Sequence, residues 1–277
     1  MRINNNLMSM NTYRQYSINT TNSATSTEKL SSGYRINRAG DDAAGLAISE
    51  KMRAQIRGLN MASKNSQDAI SLVQTAEGAL NETHSILQRM RELAVQASSD
   101  TNADLVDRVA LDAEFQALID EIDDIAAKTA FNGKVLLDGD YEATGDGLMI
   151  QTGADATQEL EINIANMTSG TDGLNVDGQV LTSQGAASLA ITAVNSAINE
   201  VSTARSSLGA VQNRLQHKIN NLDTSSENLS AAESRIRDLD MAKEMTNYTK
   251  NNILVQAATA MLAQANSAPQ GVLQLLQ

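Results

Sequence analysis

Between residues 187 and 236 every seventh position is apolar: Ala187, Val194, Val201, Leu208, Leu215, Leu222, Leu229 and Ile236. The residues between them are rich in Ser, Asn, Gln and Asp. A seven-residue period predicts one long helix whose narrow face is buried against other helices. The flanking column carries Ile191, Ile198 and Ile219 but is interrupted by Arg205, Gln212, Ser226 and Glu233. Roughly fifty residues at ~1.5 Å rise make a rod of about 75 Å, too long for the core of an ordinary globule. The expected fold is therefore elongated.

A second heptad run starts after Asp41 and Asp42, residue types suited to a helix N-terminus. One column reads Met52, Leu59, Ser66, Val73, Leu80, Leu87 and Ala94; its companion reads Ile48, Gln55, Ala62, Ala69, Ala76, Thr83, Met90 and Ala97. Alanine in the companion column allows a partner helix to approach closely. Gly58 and Gly78 each cost about 1 kcal/mol relative to Ala in a helix interior, so they mark close approach or local weakness. Residues 98–102 break this helix. A third, short and acidic helix follows over 103–128, with the stripe Leu111, Phe115, Leu118, Ile122 and Ile125, and with Asp107, Arg108, Glu114, Asp120, Glu121 and Asp124 off it.

Both ends of the chain place apolar residues at helical spacing in a poor helical background. Ile3, Leu7, Met8, Met10, Tyr13, Tyr16 and Ile18 sit among Asn, Ser and Thr, whose side chains compete for the backbone. Near the other end Met241, Met245, Tyr248, Val255 and Leu262 form one stripe, and Leu254, Ala258, Met261 and Ala265 a second. Pro269, the only proline, is expected to close that helix, leaving Val272, Leu273, Leu275 and Leu276 as an apolar tip. Isolated helices of this kind are marginal. Residues 1 to about 40 and 240–277 are expected to become helical only in an assembly.

Residues 131–185 have no helical period and hold nine of the sixteen glycines. Residues 148–152 and 160–164 predict a hairpin, the second strand alternating Leu160, Ile162 and Ile164. No Lys or Arg occurs between Lys134 and Arg205, so the carboxylates from Asp138 to Asp177 stand unopposed. That concentration belongs on a solvent-facing surface.

The net charge of −12 excludes the basic face that nucleic acid requires, and no run is long or apolar enough for membrane insertion. Aromatics are only 3%, so burial must come from many small contacts along helix seams. Cysteine is absent, excluding disulfides and thiolate metal sites. Residues 1–25 do not form a cleavable signal peptide. His84 and His217 stand alone on helices. Asp138, Asp140 and Glu142 begin like a calcium loop, but Ala143 stands where glycine is needed and Met149 where the closing Glu should be. With no phosphate loop and no nucleophile motif, no active site, cofactor or metal is expected.

Several stretches together resemble bacterial flagellin: Leu30-Ser31-Ser32-Gly33-Tyr34-Arg35-Ile36-Asn37, Asp41-Asp42-Ala43-Ala44-Gly45, Glu77-Gly78-Ala79-Leu80-Asn81-Glu82, Gln88-Arg89-Met90-Arg91-Glu92-Leu93-Ala94-Val95 and Phe131-Asn132-Gly133. Towards the other end the resemblance continues in Arg235-Ile236-Arg237-Asp238-Leu239-Asp240 and Leu262-Ala263-Gln264-Ala265-Asn266. The fold so implied is mainly α: an elongated antiparallel bundle of long heptad helices from both chain ends, with a small central segment containing a β-hairpin. Residues 1–41 and 240–277 would form the inner core of a helical filament, 42–130 and 186–239 its outer tube, and 131–185 the exposed surface.

The function implied is that of a self-assembling, extracellular structural subunit of the flagellar filament, exported by the flagellar type III route without a cleaved signal. Implied partners are further copies of the chain, an export chaperone, and the filament cap and junction proteins. Assembly contacts would fall on Leu7, Met10, Leu254, Met261, Val272, Leu273, Leu275 and Leu276. The resemblance also implies that Gln88, Arg89, Arg91, Glu92, Leu93 and, on the next helix, Glu114 form a face for contact between subunits, for recognition by vertebrate Toll-like receptor 5, or for both. With Leu87, Met90 and Ala94 on the seam, Arg89 and Leu93 are expected to share a different face. Two other readings are weaker. A hook–filament junction protein has a similar shape, but the terminal motifs are flagellin's. A chemoreceptor-type signalling hairpin leaves the acidic β segment and the apolar ends unexplained.

Overall fold

The computed structural model describes residues 5–100, 106–142 and 147–275, with side chains through residue 268. Its elements are five helices and four short strands: α1 (Leu7–Ser32), α2 (Ala43–Ala97), α3 (Asp107–Lys128), β1 (Ala130–Phe131), β2 (Lys134–Val135), β3 (Leu148–Gln151), β4 (Glu159–Ile162), α4 (Gln184–Arg237) and α5 (Met241–Leu275). The chain divides into two compact units. One comprises residues 1–56 with 227–277, and the other residues 57–226.

In the unit of residues 57–226, α2 and α4 run antiparallel. Ser63 Oγ donates to Asp223 at 3.0 Å, and Ser226 Oγ to Asn60 Oδ1 at 2.8 Å. The column expected on α4 is buried from Ala187 through Val194, Val201, Leu208 and Leu215 to Leu222. Its partner column lies three residues on over most of its length: Ala190, Ala197 and Val211 are buried, whereas Ile191 and Ile198 are only half-buried; at Ile219 the expected four-residue column is buried. Methyl side chains let the neighbouring helix approach there, and the isoleucines flank the seam.

On α2 both expected columns are buried from Ala62 to Ala97, including the polar Ser66 and Thr83. Their hydroxyls donate within the helix, to the carbonyls of Ala62 at 2.8 Å and Ala79 at 3.1 Å, so burial leaves no unpaired donor. Gly58 is a close-approach position, since an added Cβ would lie 2.9 Å from the Ala154 Cβ. Gly78 faces open space.

Helix α3 folds back along α2. Its buried stripe is Phe115, Ile119, Ile122 and Ala126, rotated from the expected one, with Leu111, Leu118 and Ile125 at its half-buried margin. Arg108, expected off the stripe, is buried. Its Nε donates to the Ala97 carbonyl at 2.8 Å and an Nη to that of Ser99 at 2.9 Å. These are carbonyls that a helix end leaves without intrahelical partners, so Arg108 completes the C-terminus of α2.

The central segment is clipped onto α3. Asp123 accepts from the Ser169 amide and hydroxyl at 2.8 and 2.7 Å, and Asp112 accepts from the Leu181 amide at 2.6 Å. β3 and β4 form the expected antiparallel hairpin, pairing Leu148 with Ile162 and Gln151 with Glu159. A second hairpin, β1–β2, was not expected. Asn132 and Gly133, at φ 50° and 80°, form its two-residue turn, where positive φ at both positions matches the twist of the strands. Inward, Leu136, Leu137, Ile162, Ile164, Met167, Leu174, Val176 and Leu181 join the same apolar core as the long helices. Asp140, Asp155, Glu159, Glu161, Asp172 and Asp177 are exposed.

In the other unit, α1 and α5 pack antiparallel, and the chain between α1 and α2 is held by backbone bonds. The Leu239 amide donates to the Gly33 carbonyl at 2.9 Å and the Arg35 amide to that of Arg237 at 2.7 Å. Gly33, at φ 75°, is the left-handed C-cap of α1. Asp42 caps α2, accepting from the Gly45 amide at 2.8 Å. Asp41 Oδ2 accepts from the Asn37 and Arg38 amides, both at 3.0 Å. These bonds, that from Arg38 first, lower the Asp41 pKa from its ordinary value.

Candidate functional site

The pairing of α1 with α5 inverts the usual arrangement. The positions turned away from solvent are the cap Asn6 and, on α1, Ser9, Thr12, Tyr16, Asn19, Ser23, Ser26, Lys29 and Leu30, and only Ser26 is fully buried. Five of its larger side chains point outward: Leu7 is 75% exposed, and Met8, Met10, Tyr13 and Ile18 are exposed too, whereas Tyr16 and Leu30 are half-buried. On α5 the shielded stripe is Tyr248, Val255, Ala258, Leu262 and Ala265, whereas Met241, Met245, Ile253, Leu254 and Met261 are exposed. Of the expected assembly residues, Leu7, Met10, Leu254 and Met261 thus lie on the outer face. The side chains of Val272, Leu273 and Leu275, and the whole of Leu276, lie outside the described residues.

Five threonine hydroxyls of α1 are satisfied within the helix. Thr12, Thr20, Thr21, Thr25 and Thr27 each donate to the carbonyl four residues earlier, at 2.8 to 3.0 Å. Of these only Thr12 lies on the shielded side; the other four are exposed.

One correction concerns the end of α5. Pro269 does not stop the helix, which continues to Leu275. A proline at 269 cannot donate to the carbonyl of residue 265, the i−4 position. That carbonyl instead accepts from Asn6 Nδ2 at 2.8 Å. The same Asn6 caps α1, its Oδ1 accepting from the Ser9 amide at 3.1 Å. Beside it Ser9 Oγ donates to Asn266 Oδ1 at 2.7 Å. One side chain therefore begins α1 and repairs α5.

The second predicted surface lies where α2 meets α3. Arg89 Nε and Nη2 donate to Glu114 Oε1 at 2.9 and 2.7 Å, and Nη1 to Glu92 at 3.2 Å. These bonds, Glu114's first, raise the Arg89 pKa further above its ordinary value. Gln88 contacts His84 at 3.0 Å, and Gln88, Arg89, Arg91, Glu92 and Glu114 are all exposed. Leu93 corrects the expectation. It is 1% exposed and belongs to the apolar core, so it offers no surface anchor. The core here is wider than two columns because α3 covers the flank of α2. The exposed apolar residue is Val95, which shares a helical face with Gln88, Arg91 and Glu92.

A groove of about 670 Å³ beside α4 is lined by Glu142, Asp172 and Glu200 together with Asn and Ser side chains and the apolar Leu80, Ile164, Met167 and Leu208. Among the described residues no cluster of three His, Cys, Asp or Glu could hold a metal.

Residues 3–142 match the bacterial flagellin N-terminal helical region, and residues 191–276 the bacterial flagellin C-terminal helical region. The chain is 55% identical over 306 aligned residues to a flagellin of Bacillus subtilis, and 56% identical over 277 to one of Halalkalibacterium halodurans; both alignments cover each chain completely. The chain belongs to the bacterial flagellin family. This flagellin is accordingly a structural subunit of the flagellar filament, outside the cell and serving motility, and not an enzyme. In fold it also resembles a Vibrio parahaemolyticus protein assigned as flagellar hook-associated, with a TM-score of 0.60 over 72% of this chain and all of that one. At 13% identity that likeness concerns the fold alone.

Proposed function

We propose that the outward apolar face of α1 and α5 is the contact through which copies of this flagellin build the inner core of the filament. Residues 42–130 and 186–239 then form the outer tube, and 131–185 faces the medium. The observation that carries this reading is the helix pair itself: its shielded positions on α1 are mostly Ser, Thr and Asn, while Leu7, Met10, Leu254 and Met261 lie open. Large apolar residues left open along both helices favour a protein partner, and a filament subunit has another copy of itself at hand. The exposed carboxylates of residues 138–177 support a medium-facing role for the central segment.

The Arg89–Glu92–Glu114 cluster with Val95 forms a second contact surface, used between subunits and open to Toll-like receptor 5 on the unassembled chain. The export chaperone, cap and junction proteins complete the partner set. Leu7→Asp and Leu254→Asp should each abolish seeded polymerisation while leaving the thermal unfolding of residues 57–226 unchanged. Normal filaments from both variants would overturn the first surface. Arg89→Ala should weaken receptor binding by the free subunit, and undiminished binding would remove the second.

A further inference from the structure

Seven of the eleven methionines are exposed in the described structure, and five of these lie on the terminal helices: Met8, Met10, Met241, Met245 and Met261. The other two, Met61 and Met149, lie in the unit of residues 57–226. Met90 and Met167 are sealed in the core of that unit, at 0% and 2% exposure. The Asn6–Ala265 and Ser9–Asn266 bonds bring the first turn of α1 beside the part of α5 next to Met261. Met8, Met10 and Met261 therefore gather at one end of the helix pair. Cysteine is absent, so no thiol competes for an oxidant.

We propose that the exposed thioethers of Met8, Met10, Met241, Met245 and Met261 make the terminal helices a peroxide-sensitive modification site that switches off assembly of the free subunit. This rests on the outer face of α1 and α5 being the contact between copies. A sulfur lone pair attacks one peroxide oxygen and the O–O bond breaks. The sulfur becomes a sulfoxide, and the other oxygen leaves as water after proton transfer. Sulfur loses two electrons and the peroxide gains them. The product carries a polar S–O group into a contact built for apolar side chains. The core methionines are shielded, so the fold of residues 57–226 survives the modification. Methionine sulfoxide reductases reverse the step.

The test treats purified subunits with hydrogen peroxide and reads peptide masses, seeded polymerisation and circular dichroism. Met8, Met10, Met241, Met245 and Met261 should gain one oxygen each, and Met90 and Met167 should not. The critical concentration should rise at least about tenfold, because unpaired polar groups carried into an apolar contact weaken association. Reductases of both epimer specificities with dithiothreitol should restore it. A variant with all five changed to Leu keeps Met61 and Met149, and Met1 outside the described residues. It should polymerise equally well before and after peroxide. Unimpaired polymerisation of the fully oxidised natural subunit overturns the proposal. So does equal loss in the five-leucine variant, or loss that the reductases do not reverse. If the five-leucine variant fails to polymerise untreated, reductase rescue of the natural subunit decides. Normal filaments from Leu7→Asp and Leu254→Asp would instead remove the underlying contact, so the two failures are distinguishable.

Discussion

Asn6 and Pro269 are coupled through a carbonyl that neither owns. Pro269 deprives the Ala265 carbonyl of its intrahelical donor, and Asn6 Nδ2 supplies one at 2.8 Å. Asn6→Asp keeps the cap on α1, since Asp and Asn serve equally there, but removes the donor. A shielded carbonyl left without a donor costs about 1–3 kcal/mol. The carboxylate gains about 0.3–1 kcal/mol from the N-terminus of α1, which offsets part of that. The net loss should be about 1–2 kcal/mol, a rise of roughly 5- to 30-fold in critical concentration. Pro269→Ala restores the amide at position 269, so the same Asn6→Asp change should cost less than about 0.5 kcal/mol there. A double-mutant cycle on seeded polymerisation measures the coupling, expected at about 1 kcal/mol. An equal cost for Asn6→Asp in both backgrounds would refute the shared carbonyl.

Leu215→Asp places a carboxylate at a fully buried position of the α4 column and should destabilise residues 57–226 by about 3–5 kcal/mol. Gln216→Asp, one exposed step round, should stay within about 0.5 kcal/mol in the same circular-dichroism melts, and similar midpoints for the two would remove Leu215 from the core. Asp41 has a lowered pKa, so its contribution is complete above the ordinary value of 3.8 and is lost as pH falls through the lowered one. Amide protection at Asn37 and Arg38 should drop in that acid window in the natural chain. Asp41→Asn, which keeps an acceptor but no titrating group, should lose that pH dependence, and an unchanged profile would show that another group controls the turn.

The two long helices were legible because their period is enforced inside the subunit: Ala187 to Leu222 and Ala62 to Ala97 meet one another and repeat every seven residues. The β3–β4 hairpin was legible from alternation, whereas β1–β2 has strands of two residues, too short for any period. Ala190 and Ala197 were missed because alanine marks close approach and polar faces alike. Leu93 and Arg108 depended on where α3 came to rest, and nothing local to either residue encodes that.

The terminal helices show a different limit. Hydrophobic spacing reports which residues leave water, and not whether they leave it by folding or by assembly. On α1 the pairing with α5 and the proposed assembly contact use different faces: Ser9, Thr12, Tyr16, Asn19, Ser23 and Ser26 are shielded, and Leu7, Met10 and Tyr13 lie open. The poor helix propensity and the apolar spacing of this segment then have one explanation. The side chains shielded on α1 are mostly small and polar, with Asn6 and Ser9 bonded to α5, and on the proposed function the exposed apolar side chains are those that another copy would cover. If the proposed contact holds, a chain that buried these apolar residues within itself would gain stability alone and lose the surface on which copies meet.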